Sequence, residues 1–128
     1  MKKIINSAYA PAPVGPYSQG VVHNGTLYIS GQIAIEPSTG KLITDNIEAE
    51  TRQVMKNIQA ILTEADLSFS HLVKCSVFVK DMNLYGRINA VYAEYFDEAT
   101  APARELVAVA ELPKFVNVEI SAIAACND

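Results

Sequence analysis

Ala101-Pro102-Ala103-Arg104-Glu105-Leu106-Val107-Ala108-Val109-Ala110-Glu111-Leu112-Pro113, followed by Val116-Asn117-Val118-Glu119-Ile120-Ser121-Ala122-Ile123, reads as two short strands separated by a Leu-Pro break. Strand side chains alternate between faces. In the first strand this puts Val107 and Val109 on one face and Arg104, Leu106 and Ala108 on the other. In the second, Val116, Val118, Ile120 and Ala122 form an apolar face, and Asn117, Glu119 and Ser121 point away from it. If the two apolar faces cover one core, Arg104 and Glu119 share the opposite face. A guanidinium and a carboxylate on a sheet face that also carries Leu106 mark it as more than solvated surface.

Upstream, residues 2–5 form a candidate edge strand, and Pro11, Pro13, Gly15 and Pro16 stiffen an irregular segment that delivers Tyr17-Ser18-Gln19-Gly20. Val21-Val22-His23, Asn24-Gly25 and Thr26-Leu27-Tyr28-Ile29-Ser30 read as a hairpin, because Asn and Gly both tolerate the positive φ of a two-residue turn. Gly31 ends its second strand. Asp45-Asn46-Ile47-Glu48 has the pattern of a helix start with Asp45 as the capping acid and Glu48 three residues on, and Ile47, Val54, Ile58, Ile61, Leu62 and Ala65 mark one helical stripe. The β-branched run Leu72 to Val79 predicts an interior strand. Asp81 or Asn83 caps a second helix, whose stripe is Leu84, Ile88, Val91, Tyr92, Tyr95 and Phe96, with Asn89 beside it.

The order strands, helix, strand, helix, strands predicts one two-layer α+β domain over residues 1–128. Two helices cover only one face of a sheet. The other face must be wet or be covered by another copy of the chain, and Leu106 and Ala108, expected on it, favour the second copy.

The chain is 50% hydrophobic and 19% charged, with net charge −4 and scattered basic residues, which argues against binding nucleic acid. No apolar run reaches the roughly 20 residues of a membrane span, and the first residues do not form a secretory signal, so a cytoplasmic location is expected. Cys75 and Cys126 are far apart and fit thiols in a reducing compartment; with two His they do not make a zinc set. His23 and His71 read as surface residues.

Gly15-Pro16-Tyr17-Ser18-Gln19, Ser30-Gly31-Gln32, Pro102-Ala103-Arg104, Leu112-Pro113 and Val118-Glu119-Ile120 occur in the order and approximate spacing of the Rid (YjgF-like) family. Val77-Phe78-Val79-Lys80-Asp81-Met82 and Ile88-Asn89-Ala90-Val91-Tyr92 resemble its middle, so the resemblance spans essentially the whole chain. It is similar to the RidA-type branch, the reactive intermediate/imine deaminases. The resemblance implies a chorismate-mutase-like fold, a mixed sheet with two helices on one face, assembled as a homotrimer. In that assembly the sheets line an inner barrel and the sites lie between subunits. It further implies hydrolysis of 2-enamine and 2-imino acids, such as 2-aminoacrylate, to 2-oxo acids and ammonia. Such species are released by pyridoxal-phosphate enzymes, so the implied role is metabolite damage control. No metal or organic cofactor is implied.

On these positions Arg104 would hold the substrate carboxylate, since a guanidinium offers two parallel hydrogen bonds that Lys cannot. Glu119 would position the attacking water and assist proton transfer. Tyr17, Ser30, Gly31 and Asn89 match positions that line the cleft. Leu106 stands where many members carry Cys, Glu105 where a small residue is usual, and Glu111 where a basic residue is common. The alternative reading is a non-catalytic binder of 2-oxo acids, or a regulator, using the same intersubunit cleft.

Overall fold

The computed structural model describes residues 1–126 and contains one six-stranded sheet with two helices. The strands are β1 (Lys3–Ile5), β2 (Gly20–His23), β3 (Thr26–Gln32), β4 (Leu72–Val79), β5 (Ala103–Ala108) and β6 (Val118–Ala125). The helices are α1 (Ile47–Glu64) and α2 (Tyr85–Ala93). The spatial order is β1-β2-β3-β6-β4-β5, and every pairing is antiparallel except β4 with β5. The mixed α+β sheet is thus as expected, with the β-branched β4 in the interior and β1 at one edge.

Local chemistry explains the boundaries. Asn24 (φ 51°) and Gly25 (φ 75°) supply the two left-handed residues of the β2–β3 turn. The α1 cap is Asn46 rather than Asp45, its side chain accepting from the Ala49 amide at 2.8 Å. Asp81 caps a short 3-10 turn that leads into α2. Helix α2 ends at Ala93, so Tyr95 and Phe96 of the expected stripe lie in the following turn. They still pack with Tyr92 and Phe69 in an aromatic cluster. Strand β3 continues through Gly31 to Gln32, two residues beyond Ser30.

The core lies between the helices and one sheet face. Val54, Ile58, Ile61 and Leu62 of α1 and Ile88 of α2 have no exposed surface. They meet Leu27, Val77, Val118 and Ile120 from the sheet. Each such side chain contributes about 1.5–3 kcal/mol of burial. The opposite face carries Val21, Tyr28, Phe78, Val107 and Ile123, and no described element covers it.

Here the structure corrects the parity reading of β5. Leu106 pairs with Val77 of β4, whose side chain is fully buried, and packs against the core. Val107 pairs with Phe78 and is 43% exposed on the open face. Arg104, in register with buried Cys75, therefore leaves the sheet on the helix side. Glu119 pairs with Phe78 and leaves on the open side. Arg104 and Glu119 do not share a face. Leu106 and Val107 are both apolar, so alternation alone could not decide which one faced the core.

Three buried polar side chains of the middle and N-terminal segments fix the loops. Glu50 has no exposed surface and accepts hydrogen bonds from the Asn117 amide and side chain, both at 2.8 Å, and from the Val118 amide at 3.3 Å. It anchors the start of β6. Asn57, also fully buried, donates to the carbonyls of Ile33 and Ile35 at 3.0 Å each and accepts from Gln53. Gln19 accepts from the Ser7 amide at 2.6 Å and donates to the carbonyls of Ser7, Ala10 and Pro11.

Because Glu50→Ala leaves buried amides without acceptors, it is expected to destabilise the fold by about 3 kcal/mol. Denaturant unfolding reads this directly, and a loss below about 1 kcal/mol would show that the anchor is dispensable.

Candidate functional site

The expected site residues fall into two groups on opposite sides of the sheet. The first lies where β3 meets β6. Tyr17, Ser30, Gly31 and Glu119 line a cleft of about 490 Å³ together with residues of the 11–14 segment, Gln19, the 32–35 segment, Pro113 and Lys114. Glu119 reaches across to Gly31: a Cβ at position 31 would stand 1.9 Å from Glu119 Oε2. A side chain there would push the Glu119 carboxylate out of this position, which gives a physical reason for glycine in Ser30-Gly31-Gln32. The Ser30 hydroxyl donates to the Ser18 carbonyl at 2.6 Å, so its proton braces the loop and its oxygen is left to accept. Lys114 (φ 54°) and Phe115 (φ 58°) both take left-handed backbone after Pro113, and this kink sets Lys114 into the cleft lining.

Burial raises the Glu119 pKa, and no salt bridge compensates it among the described residues. A raised carboxylate is a poor resting ion and a better base near neutrality.

The second group lies between the end of α2 and the start of β5. Arg104 Nη1 donates to Asn89 Oδ1 at 2.7 Å, and Nη2 donates to the Tyr85 hydroxyl at 3.2 Å. The guanidinium stands 5.0 Å from the centre of the Tyr92 ring and 5.9 Å from that of Tyr85. No carboxylate pairs with it among the described residues. Glu105 is engaged by Lys74 at 3.0 Å and Ser76 at 2.5 Å on the open face. Glu111 is engaged by Lys80 at 3.0 Å. Arg104 is thus held in position by neutral groups, and its charge is uncompensated by a carboxylate among the described residues. Asn89, Tyr92 and Arg104 line a shallower hollow of about 240 Å³ with Ala101 and Pro102. The Tyr92 hydroxyl is buried without a hydrogen-bond partner among the described residues. Burial, and after it the nearby Cys75 thiol, drives its pKa well above the phenolic range, so it stays protonated.

One chain cannot bring these halves together. Strand β4 separates β5 from β6, which puts their axes about 10 Å apart, and the two side chains leave from opposite faces. Tyr85 and Tyr92 were not among the expected site residues. Both lie on the helical turns flanking Asn89, and that spacing is the signal that would have found them. His23 is exposed, and His71 accepts from the Ser68 amide through its Nδ1 at 3.1 Å, so neither belongs to the site. Among the described residues, no cluster of metal-ligating side chains occurs and no helix is long and apolar enough to cross a membrane.

A family model described as endoribonuclease L-PSP matches residues 7–126. A RutC family protein of Synechocystis is 51% identical over 123 residues, covering 95% of each chain. The 2-iminobutanoate/2-iminopropanoate deaminase of Mus musculus is 43% identical, covering 97% of this chain and 91% of its own. The crystal structure of E. coli TdcF with bound serine matches with a TM-score of 0.90 at 42% identity, covering 96% of this chain and 98% of that one. The chain belongs to the Rid (YjgF) family. That family includes imine deaminases as well as proteins named only for family membership.

The Glu119 environment makes a signed prediction. Its pKa is raised in the folded chain, so folding favours the protonated form, and stability is lost as pH rises through the folded value. Glu119→Gln keeps the shape and removes the charge. It is expected to raise the melting temperature at neutral pH and to flatten the pH dependence in the mildly acidic range. An unchanged or lower melting temperature at neutral pH would contradict the burial argument.

Proposed function

We propose that the protein hydrolyses 2-imino and 2-enamino acids, such as 2-aminoacrylate and its imine tautomer, to 2-oxo acids and ammonia, in a site shared between two copies of the chain. The observation that carries this reading is the unpaired guanidinium of Arg104, held by Asn89 and Tyr85 and facing a hollow rather than a protein carboxylate. An imino acid supplies the missing carboxylate. The deaminase name of the mouse relative and the serine bound to TdcF are consistent with an amino-acid-like ligand.

In the shared site, Arg104 and Asn89 of one copy face Tyr17, Ser30, Gly31 and Glu119 of the next. Such a contact joins two different patches, and when its rotation closes on repetition it makes a ring. A homotrimer is the proposed assembly, with the open face bearing Val21, Tyr28, Phe78, Val107 and Ile123 turned inward as a barrel. The occupant of the uncovered face is then another copy, and the assembly that covers it also completes the site.

The chemistry asks little of the protein. A protonated imine carbon is already electrophilic. Glu119, with its raised pKa, accepts a proton from water as the oxygen bonds to that carbon, giving a carbinolamine. Glu119 returns the proton to nitrogen, the carbon–nitrogen bond breaks, and ammonia leaves as the carbonyl forms and the hydroxyl proton passes back to the Glu119 carboxylate. Arg104 fixes the carboxylate end so that the carbon sits against the water, an effect of orientation. The Tyr17 hydroxyl and the backbone at Gly31 can hold the nitrogen. The biological role that follows is removal of reactive intermediates released by pyridoxal-phosphate enzymes.

The test is a coupled assay that generates 2-aminoacrylate and follows its disappearance. Arg104→Lys keeps the charge but loses the fork. It is expected to lower kcat/KM by about a hundredfold or more, the scale of one lost oriented ionic contact in a closed site. Wild-type rates no faster than the uncatalysed reaction, or equal rates for wild type and Arg104→Lys, would refute the proposal.

A further inference from the structure

The Glu119 cleft is larger and more apolar than a three-carbon imino acid requires. Its volume of about 490 Å³ lies within the roughly 300–1,000 Å³ of pockets that hold drug-sized ligands. Several of its polar side chains are committed to the protein. The Gln19 amide is spent on Ser7, Ala10 and Pro11, the Ser30 proton on Ser18, and Gln32 Nε2 on the Ser30 carbonyl. Apolar walls remain, and Ile33 and Ile35 are the largest of them.

These two isoleucines are half-buried, and neither packs into the hydrophobic core. Their backbone is nevertheless fixed from inside. The buried Asn57 donates to both carbonyls at 3.0 Å, and the Ile35 amide closes back on the Ile33 carbonyl at 2.8 Å. A buried amide that clamps a segment whose apolar side chains stay half-exposed makes a built wall, not a loose loop. Core packing within the chain does not account for Ile33 and Ile35; a bound aliphatic group lying along them would cover them.

We infer that this wall receives the side chain of the substrate, and that the site selects 2-imino acids with branched or extended aliphatic side chains over the smallest ones. The inference rests on the proposed deaminase reading for the reacting end of the molecule. It assigns Ile33 and Ile35 to the other end, as specificity residues, with Asn57 as their positioning residue. The expected size is set by the contact of methylenes with an apolar pocket, about 10- to 200-fold for each one gained.

The test measures binding and turnover separately on the assembled, full-length protein. Calorimetry compares pyruvate, the 2-oxo acid of leucine and 2-oxoglutarate, the first two being products of the smallest and a branched substrate. The leucine product is expected to bind at least tenfold more tightly than pyruvate. The Ile33→Ala, Ile35→Ala double variant, checked for an unchanged circular dichroism spectrum, is expected to bring the two constants within about threefold of each other. Equal binding of pyruvate and the leucine product by the wild type would overturn the inference. So would tighter binding of 2-oxoglutarate than of the leucine product, which would point to Lys114 as the residue that selects the side chain. In the turnover arm, imines of alanine and leucine are generated by an amino-acid oxidase. Selective binding without turnover of either imine would refute the deaminase reading while supporting the assignment of the wall.

Discussion

Strand β4 lies between β5 and β6, and its two registers govern the functional geometry. It pairs Cys75 with Arg104 on one side and Phe78 with Glu119 on the other. Since the side chains of Cys75 and Phe78 leave β4 on opposite faces, the guanidinium and the carboxylate do so as well. A shift of one residue in either pairing would exchange core and surface along a whole strand. Burial of Val77 and Ile120, with half-buried Leu106 packed against the core on the helix side, forbids that shift. The separation of the two charged groups is therefore a consequence of the core, and the core gives the isolated chain no means of reuniting them.

The same separation explains the electrostatics. Had Arg104 and Glu119 met within one chain, they would have formed an ion pair. Arg104 would then have lost its charge for a ligand, and the carboxylate would have been held low. Instead the guanidinium is steadied by an amide, a phenol and an aromatic face, and Glu119 sits over Gly31 with its pKa raised by burial. Neither group meets an opposite charge among the described residues. Buried polar anchors support both: Glu50 holds the start of β6 near Glu119, and Gln19 and Asn57 hold the loops that wall the cleft.

Much of this was legible in the sequence. The period of α1, the Asn24-Gly25 turn and the β-branched run of β4 each specify their element through local physics. The motifs around Tyr17, Ser30, Arg104 and Glu119 selected residues that do line the two hollows. What escaped was non-local. The face of β5 depends on its parallel register with β4, which alternation within β5 does not contain. The roles of Glu50 and Asn57 escaped because polar residues on a helix read as solvated by default. Both sit at positions three or four residues from buried Ile47, Val54 and Ile61, and that placement is the signature of a polar group with a buried task.

The central claim is that each working site draws Arg104 from one copy and Glu119 from another. Its most direct test mixes two variants that are each inactive, Arg104→Ala and Glu119→Gln, after unfolding and joint refolding. In the mixed assembly some contacts pair the intact Arg104 of one variant with the intact Glu119 of the other. The account predicts that imine hydrolysis returns to roughly a quarter of the wild-type rate at equal proportions, since each half is intact in half of the copies. Activity that stays at the level of the separate variants, in assemblies shown to be mixed, would contradict it.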